Sequence, residues 1–383
     1  MSYFNFFKKI LVLNFVFISN IFCENKPNFA ITYSFEESKR LGDKILLYCK
    51  TKWLAHKYNL QLFFEPFPYS EQFNVSKLET FAQKEKLDLF RNKIKIDSEY
   101  QLINHLNSIK EDTLFIAHFW TNINGNDFLK NQTVVSMLDS LLYNCDCLYL
   151  STIQDEKFGQ IIKKALKPIA VPKKVDLPED RITVAVHIRK GGGYDPEIVA
   201  EQYFDLPEYN IFKNCNINKI DNTLNQRSSV PEYSIDKAFP SLFPPEQFYV
   251  DQIMNMSDLL KDFPMFVYVF TDDKKPQELV ERLKNKIKKN NIIFATRSTQ
   301  NLHDKNVIED LYIMSQFDCL IRGSSHFSWA SQMLGKHKII ISVQHATWIS
   351  DTRLIVDKIN VFLRQPEIND PKKIIFDNLL NRI

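Results

Sequence analysis

One stretch decides how the fold of this chain is read: residues 182–195, with the sequence ITVAVHIRKGGGYD. Its first seven residues form an almost continuous apolar run, which is typical of a strand buried on both faces of a parallel sheet. Two cations and three glycines follow. Ligands bind at the carboxyl ends of such strands, and glycine lets backbone N–H groups approach an anion closely. The stretch therefore predicts an anion-binding loop, with a flexible turn of solvated charges as the alternative.

This loop differs from two common nucleotide-binding motifs. No Gly-Lys-Ser/Thr follows it, so it is not a Walker loop, and it lacks the G-x-G-x-x-G of dinucleotide binders. The G-x-S-x-G elbow of α/β hydrolases is also missing from the chain. An unrelated oxidoreductase or hydrolase is therefore disfavoured.

The composition is that of a globular protein. The chain has 383 residues, 44% of them hydrophobic, and 49 Lys and Arg against 46 Asp and Glu give a net charge of +3. Because neutralising a track of phosphates requires a surplus of cations, nucleic acid is not an expected partner. Only eight residues are glycine, and three of them are adjacent at Gly191, Gly192 and Gly193. The length predicts about two domains.

Short apolar runs alternate with helical patterns, which is typical of α/β domains with parallel sheets. Strands are predicted at 29–33, 60–64, 113–119, 147–150, 182–188, 266–270, 291–294, 319–321 and 338–343, and helices at 38–58 and 134–143. Prolines and lysines in 166–180 indicate a linker. We predict an N-terminal domain at 24–172, a C-terminal domain at 173–355, a helical tail at 356–383 and a long insertion at 202–243.

The N-terminus resembles a targeting segment. Lys8 and Lys9 precede an apolar run of about 13 residues, which suits a signal peptide better than a membrane span of roughly 20. Residues 1–23 are predicted to be a cleaved signal or an uncleaved anchor, with a buried helix as the third reading. This predicts a secretory location, exported or membrane-anchored, with membrane association through residues 1–23. The scattered cysteines do not indicate a disulfide framework or a zinc site.

Two further polar clusters follow predicted strands. Asp272 and Asp273 come directly after 266–270, where carboxylates can bind a ribose, a base edge or a metal. Alternatively, Asp273 caps the helix that begins near Pro276. The third cluster, 308–330, is predicted to form a helix, a strand and a Gly-Ser-Ser turn at the start of another helix. Such a turn predicts an anion site that needs no metal, or simply a well-capped helix.

Taken in order, the three clusters resemble the fucosyltransferase superfamily, which comprises bacterial alpha-1,2-fucosyltransferases and their core alpha-1,6- and protein O-fucosyltransferase relatives. The matches are His187-Ile188-Arg189-Lys190 for H-x-R-[RK], Thr271-Asp272-Asp273 for [ST]-D-D, and 310–329 for D-x-x-x-M-S…S-S-F-S-W. A weaker match, Arg40-Leu41-Gly42-Asp43-Lys44, resembles G-x-G-N-Q. The resemblance covers about residues 180–350, and faintly 28–65.

The resemblance implies a GT-B fold of two facing Rossmann-like domains and an inverting, metal-independent transfer of fucose from GDP-fucose to a hydroxyl of a glycan or protein. No cofactor is expected besides this donor substrate. Arg189 would contact the donor diphosphate, with developing charge on GDP stabilised as in other metal-free transfers. The other residues that the resemblance assigns to the donor site are His187, Asp272, Asp273, Asp310, Ser325, His326 and Ser328.

An inverting transfer also needs a base at the acceptor hydroxyl, usually a carboxylate. The resemblance to the core-type enzymes implies Glu197 for this role, with Asp195 as the competitor. The chain departs from the family where Gly191 and Gly192 replace an acidic motif, and where His326 replaces a serine. A catalytically silent carbohydrate- or nucleotide-binding protein on the same fold is the alternative from another functional class.

Overall fold

A computed structural model of the chain describes residues 27–35, 40–118, 155–170, 175–190, 240–261, 263–298, 306–350, 353–364 and 366–380. Several predicted features lie outside these residues. They are the N-terminal segment 1–23, the helix at 134–143, the strand at 147–150, the three adjacent glycines and nearly all of the insertion at 202–243.

The first half of the chain forms a sheet of five parallel strands in the order β3-β2-β1-β5-β4. Its elements are β1 (Phe29–Tyr33), α1 (Leu41–Lys57), β2 (Gln61–Phe64), a 3-10 turn (Ser70–Gln72), α2 (Val75–Leu78), β3 (Thr80–Phe81), α3 (Lys84–Leu87), β4 (Asn92–Ile96), α4 (Glu99–Ser108), β5 (Thr113–Ala117) and α5 (Glu156–Ala165). The central strand β1 is buried from its second residue onward, as expected for the middle of a parallel sheet.

The second half forms a sheet of six strands in the order β11-β10-β9-β6-β7-β8. Its elements are β6 (Ile182–Ile188), a 3-10 turn (Pro240–Leu242), α6 (Glu246–Leu259), β7 (Met265–Thr271), α7 (Pro276–Ile287), β8 (Ile292–Thr296), α8 (Val307–Met314), β9 (Cys319–Arg322), α9 (His326–Leu334), β10 (Ile339–Ser350), β11 (Arg353–Leu363) and α10 (Lys373–Leu380). All neighbours pair in parallel except β10 and β11.

The apolar run at 182–188 is a strand buried on both of its faces. Ala185 belongs to one hydrophobic core, which also contains residues of the first half, while Val184 and Val186 belong to a second core. The predicted α/β class with parallel sheets is therefore confirmed, and the two sheets are consistent with the predicted GT-B type.

The prediction of a helical tail at 356–383 is wrong over its first part. Residues 353–363 form β11, which pairs antiparallel with β10, and only Lys373–Leu380 is helical. This segment, with its alternating pattern, forms a strand because β10 supplies the partners for its backbone hydrogen bonds. Phe376 of α10 is fully buried in the second core, so the tail completes the second half rather than extending from it.

The topology fixes where a ligand is expected. From β6 the chain passes to β7 and β8 on one side of the sheet, and then returns to β9 on the other side. The boundary between β6 and β9 is therefore the topological switch point of the second sheet, and α/β proteins bind ligands outside the carboxyl ends of the strands at such a point. Arg189 follows β6 there, and Arg322 ends β9.

Candidate functional site

The first wall of the site comes from the end of β6. Arg189 directly follows this strand and is only 8% exposed, and its guanidinium stacks 4.7 Å above the ring of Phe243. Such cation–π contacts hold an arginine in place without neutralising its charge. Phe243 is the last residue of the predicted insertion, so the end of that insertion contacts Arg189 and holds it in place.

His187 lies within β6 beside this arginine and is kept neutral. Burial, together with the charges of Arg322 and Arg40, lowers its pKa to about 3. The imidazole ring packs against Phe327 with centroids 5.7 Å apart, and its Nδ1 atom finds no hydrogen-bond partner among the described residues. Burial is the larger cause of this shift, and both arginines add to it because a nearby positive charge disfavours the imidazolium.

The second wall comes from the end of β9. Arg322 is paired in register with His187 and is 4% exposed. Its Nε donates to Oε1 of Gln332 at 2.9 Å, and one terminal nitrogen donates to the carbonyl of Gly323 at 3.0 Å. These hydrogen bonds to neutral oxygens orient the guanidinium. The sequence shows Arg322 inside the third cluster, but only the strand pairing places it beside His187.

The Gly-Ser-Ser turn after β9 is less open to an anion than its sequence predicts. Ser324 donates its N–H to the carbonyl of Ser241 at 2.8 Å and its hydroxyl to the carbonyl of Val343 at 2.9 Å. A Cβ on Gly323 would lie 3.0 Å from both Pro244 and Ser241. The Gly-Ser-Ser turn therefore holds the 3-10 turn at Pro240–Leu242 in place. Of the residues in the Gly-Ser-Ser turn, only Ser325 is positioned to contact an anion.

The predicted donor-binding serines occupy the start of α9. Ser325 is the N-cap residue and is buried, and its carbonyl accepts hydrogen bonds from Trp329 N–H at 3.0 Å and from the hydroxyl of Ser328 at 3.1 Å. Ser328 is fully buried. Its hydroxyl thus stabilises the first helical turn, and the assignment of Ser328 to the donor site stays a prediction.

His326 connects the two halves of the molecule. Its Nδ1 lies 2.5 Å from Oδ1 of Asp43, near the start of α1. Burial acts to raise the pKa of Asp43, but the hydrogen bond and charge of His326, together with Arg40, outweigh burial and hold the pKa below its usual range. Asp43 is therefore ionised, and its second oxygen accepts the N–H of Arg40 at 3.3 Å.

Gly42 explains how two helix starts approach so closely. A Cβ at this position would lie 2.5 Å from the backbone nitrogen of Phe327 and 2.7 Å from the carbonyl carbon of His326. Only glycine lets the backbones of α1 and α9 touch here. The positive ends of two helix dipoles are consequently brought to one place, beside Arg40 and Arg322.

The acidic pair after β7 serves mainly to shape the loops. Asp272 accepts a hydrogen bond from the N–H of Lys190, which ties the ends of β6 and β7 together. Asp273 accepts from the N–H of Lys275 at 2.8 Å, just before α7 begins. Asp273 thus organises the entry to α7, in line with the capping alternative, although Lys275 and not Asp273 is the N-cap residue.

Asp310 lies at the outer side of the site and is held by an arginine. Arg297, which follows β8, donates to its Oδ1 at 2.6 Å and lies 3.5 Å from Glu309. Burial raises the pKa of Asp310 to about 6, against the opposing effect of Arg297. The role that fits this arrangement is ordering of Arg297.

A network of exposed charges forms the rim. Glu246, at the start of α6, receives two hydrogen bonds from Arg282 at 2.8 and 3.1 Å and one from Lys190 at 3.2 Å. The hydrogen bond from Arg282 and the charge of Lys190 lower the pKa of Glu246 to about 2. This network fixes the side chain of Lys190 at the mouth of the site.

The structure brings together part of the predicted set. His187, Arg189, Ser325 and His326 meet at the β6/β9 edge, with Asp272 and Asp273 beside them after β7. Asp195 and Glu197 lie outside the described residues. Sequence reasoning assigned no role to several residues that shape the site: Arg40, Asp43, Phe243, Arg297 and Arg322. A cation close to the end of a predicted strand is the signal that could have indicated Arg297 and Arg322.

The described residues contain no group of three or more His, Cys, Asp and Glu side chains arranged to hold a metal ion. No helix in the part of the chain that the structure describes has the length and apolarity needed to cross a membrane.

Comparisons with known proteins give matches only among solved structures. No model of a known protein family matches it, and no curated protein matches it. Among solved structures it is similar to an arginine-to-lysine mutant of Arabidopsis thaliana FUT1 in complex with GDP, at 11% identity and a TM-score of 0.39. The match covers 84% of this chain and 72% of that chain. A likeness this distant does not identify a family.

Proposed function

We propose that this chain is an inverting, metal-independent glycosyltransferase that moves fucose from GDP-fucose to a hydroxyl of a glycan or protein. One observation carries the proposal. Two buried arginines, Arg189 and Arg322, lie at the topological switch point of a parallel sheet, beside a neutral histidine and the start of α9. A buried cationic crevice of this kind suits a diphosphate, because arginine presents a fork of donors matched to phosphate oxygens.

The transfer reaction follows from these charges. The acceptor oxygen forms a bond to the anomeric carbon, the bond from that carbon to the phosphate oxygen breaks, and GDP leaves with the electron pair. Arg189 and Arg322 would stabilise the charge that develops on the leaving phosphate, which is the largest contribution expected without a metal. His187 is neutral at pH 7 and would offer a hydrogen bond without adding charge.

The remaining predicted residues divide by role. Ser325 and the first N–H groups of α9 would complete the diphosphate site, with His326 beside them. Asp272 and Asp273 order the loops in which guanosine would lie, and Asp310 holds Arg297 at the outer side. The resemblance assigns the base to Glu197 or Asp195. The proposed location is the secretory pathway, with residues 1–23 as signal or anchor.

A binding and hydrolysis screen tests this function. GDP-fucose, GDP-mannose and UDP-sugars are compared by calorimetry and by release of the nucleoside diphosphate, with and without EDTA. We expect micromolar binding of GDP, preferential turnover of GDP-fucose and no loss of rate in EDTA. Preference for a UDP-sugar or strict dependence on a divalent cation would contradict the proposal. Binding without turnover would indicate the catalytically silent alternative.

A further inference from the structure

The first sheet has a topological switch point of its own. From β1 the chain passes to β2 and β3 on one side of the sheet, and it then returns through β4 to β5 on the other side. The boundary between β1 and β5 is therefore a place where an α/β sheet can bind a ligand, outside the carboxyl ends of its strands. Ser34 follows β1 there, and its Oγ lies 3.1 Å from Nδ1 of His118, which follows β5.

A buried ammonium group lies beside the same end of β1. Lys44, near the start of α1, is only 8% exposed, and its Nζ lies 5.6 Å from the centre of the Phe35 ring. Phe35 directly follows Ser34 in the chain. Its ring packs edge-on against Phe67, in the loop after β2, with ring centroids 5.9 Å apart. The ammonium thus lies among the loops that follow β1 and β2.

No carboxylate of the described residues forms an ion pair with Lys44, and none of their side chains shares a hydrogen bond with it. Glu65 follows β2 at this edge, but burial raises its pKa, whereas a partner of Lys44 would have its pKa lowered. A buried cation is costly unless an anion compensates it, and a cation–π contact offsets only part of that cost. An anionic ligand at this edge would supply the missing charge.

The direction of Lys44 separates it from the proposed donor site. Gly42 is the residue of α1 that meets the backbone of His326 and Phe327 at the start of α9. Successive helical residues are rotated by about 100°, so Lys44, two positions later, projects from the opposite side of α1. It accordingly contacts Phe35, which belongs to the first half. The anion that suits Lys44 is therefore on the acceptor rather than on the donor diphosphate.

The groups at this edge together suit a sugar that carries a negative charge. The Ser34 hydroxyl and the His118 ring can exchange hydrogen bonds with sugar hydroxyls. The Phe35 ring offers an apolar surface of the kind that lines small-molecule sites. The ammonium of Lys44 can form a charge-assisted hydrogen bond with a carboxylate or sulfate oxygen.

We propose that the carboxyl edge of the first sheet binds the acceptor and that Lys44 selects an anionic saccharide there, an inference that rests on the proposed function. Lys44 acts in binding only. It pairs with the anionic group, while a hydroxyl elsewhere on the same saccharide receives the fucose.

The test compares fucose transfer from GDP-fucose to oligosaccharides that differ in charge. Galacto-oligosaccharides are paired with galacturono-oligosaccharides of the same length, and N-acetyllactosamine is paired with its sialylated and sulfated forms. We expect kcat/KM for the anionic members to exceed that of their neutral partners at least about tenfold. The better of the carboxylate and sulfate series identifies the group. Equal or better use of the neutral members, or transfer to none of the anionic ones, would overturn the inference.

The variant K44M removes the charge and keeps a side chain of similar length. We expect KM for the anionic acceptors to rise about 10- to 100-fold, as for the loss of a charge-assisted hydrogen bond, with little change in kcat. The matched control is K57M at the other end of α1, where exposed Lys57 pairs with Glu99, and it should keep the preference. A tenfold loss of GDP affinity in K44M alone would assign Lys44 to the donor site and overturn the inference.

Stability separates a binding role of Lys44 from a structural one. Replacing a buried charge that has no ion pair by an apolar side chain should not weaken the fold, so K44M should unfold at the same urea concentration as the wild type or at a higher one. A clearly lower midpoint would overturn the inference. Failure of the wild type to bind GDP or to hydrolyse GDP-fucose would contradict the proposed function, whereas donor hydrolysis without a preference for anionic acceptors would overturn this inference alone.

Discussion

Buried charged residues lie at both ends of the strands in the second sheet, which are called the amino edge and the carboxyl edge, but their partners differ. At the amino edge, Asp318 accepts hydrogen bonds from Thr183 at 2.8 and 2.9 Å and from Lys338 and Lys372 at 2.8 and 2.7 Å, and Lys338 also pairs with Asp370 at 2.7 Å. At the carboxyl edge, Arg189 stacks on an aromatic ring and Arg322 donates to neutral oxygens.

The difference lies in the kind of partner that each set of charges has. At the amino edge every carboxylate oxygen of Asp318 has a partner, so the cluster fastens the segment after β11 to the sheet. At the carboxyl edge, burial and then the charges of Arg322 and Arg40 lower the pKa of His187 to about 3. We therefore interpret the amino edge as a stabilising cluster and the carboxyl edge as the proposed anion site, and the four predictions below test this division.

The largest expected effect is on stability, from breaking the amino-edge cluster. D318N removes the charge of buried Asp318 and leaves the mostly buried side chain of Lys372 without this carboxylate partner, so we expect the free energy of unfolding to fall by about 3–5 kcal/mol. Urea unfolding followed by circular dichroism measures this loss. The double variant D318N/K372M should recover part of it, because no uncompensated charge remains. A loss below about 1 kcal/mol for D318N would show that the cluster is not stabilising.

The next effect concerns the junction that closes the carboxyl edge. In G42A the new methyl group meets the backbone of His326 and Phe327, and overpacking of this kind costs about 3 kcal/mol at the upper end of its usual range. The matched control is G159A, within α5, where the same substitution should stabilise the protein by up to about 1 kcal/mol through helix propensity. Equal stabilities of G42A and the wild type would show that the two helix starts are not in contact in solution.

Removing one arginine from the carboxyl edge should weaken anion binding more than it weakens the fold. For R189M we expect GDP affinity to fall about 100-fold, which corresponds to about 2.7 kcal/mol, because a charge-assisted contact to phosphate is lost. Calorimetric titration with GDP measures the change. R282M, on the exposed rim, should change the affinity less than about threefold. If R189M bound GDP with unchanged affinity, Arg189 would not be part of the donor site.

The smallest effect is a dependence on pH that both edges share. The folded-state pKa of His187 is about 3, below an unfolded value near 6.5, so the unfolded chain binds more protons between these values and stability falls as the pH drops. At pH 5 the loss from this residue is about 2 kcal/mol relative to pH 8.

H187N should therefore flatten the pH dependence of urea unfolding by that amount between pH 8 and pH 5. His337, at the amino edge, also has its pKa lowered by burial, to about 4, so H337N should flatten the profile in the same direction. A profile that neither substitution changes would show that folding does not shift the pKa of either ring.

Much of the scaffold could be predicted from the sequence. The strands at 29–33 and 182–188 are found with the predicted bounds, and 319–321 is one residue shorter than the observed β9. These strands could be predicted because a strand buried on both faces must be apolar throughout. β4 and β11 were missed, because their alternating polar residues depend on a neighbouring strand for their conformation.

The site was predictable only at the ends of the buried strands. His187, Arg189 and the turn after β9 were identified because polar residues that follow an apolar run lie at the sheet edge. Arg322 could not be placed beside His187 without the pairing of β6 with β9. The full burial of Ser328 and the pairing of Asp310 with Arg297 likewise depend on neighbours that periodicity does not reveal.

The sequence by itself determined the α/β class, the buried central strands and the cation-rich end of β6, because hydrophobic periodicity and residue chemistry are local properties. Only the tertiary structure decided that Asp43 meets His326 across 283 positions and that Gly42 permits their helices to touch. Contacts of this kind depend on how two separately patterned halves pack, and packing is decided by the shapes of both surfaces together. The sequence thus indicated where an anion would bind, and the packing of the two halves supplied the histidine–aspartate pair beside it.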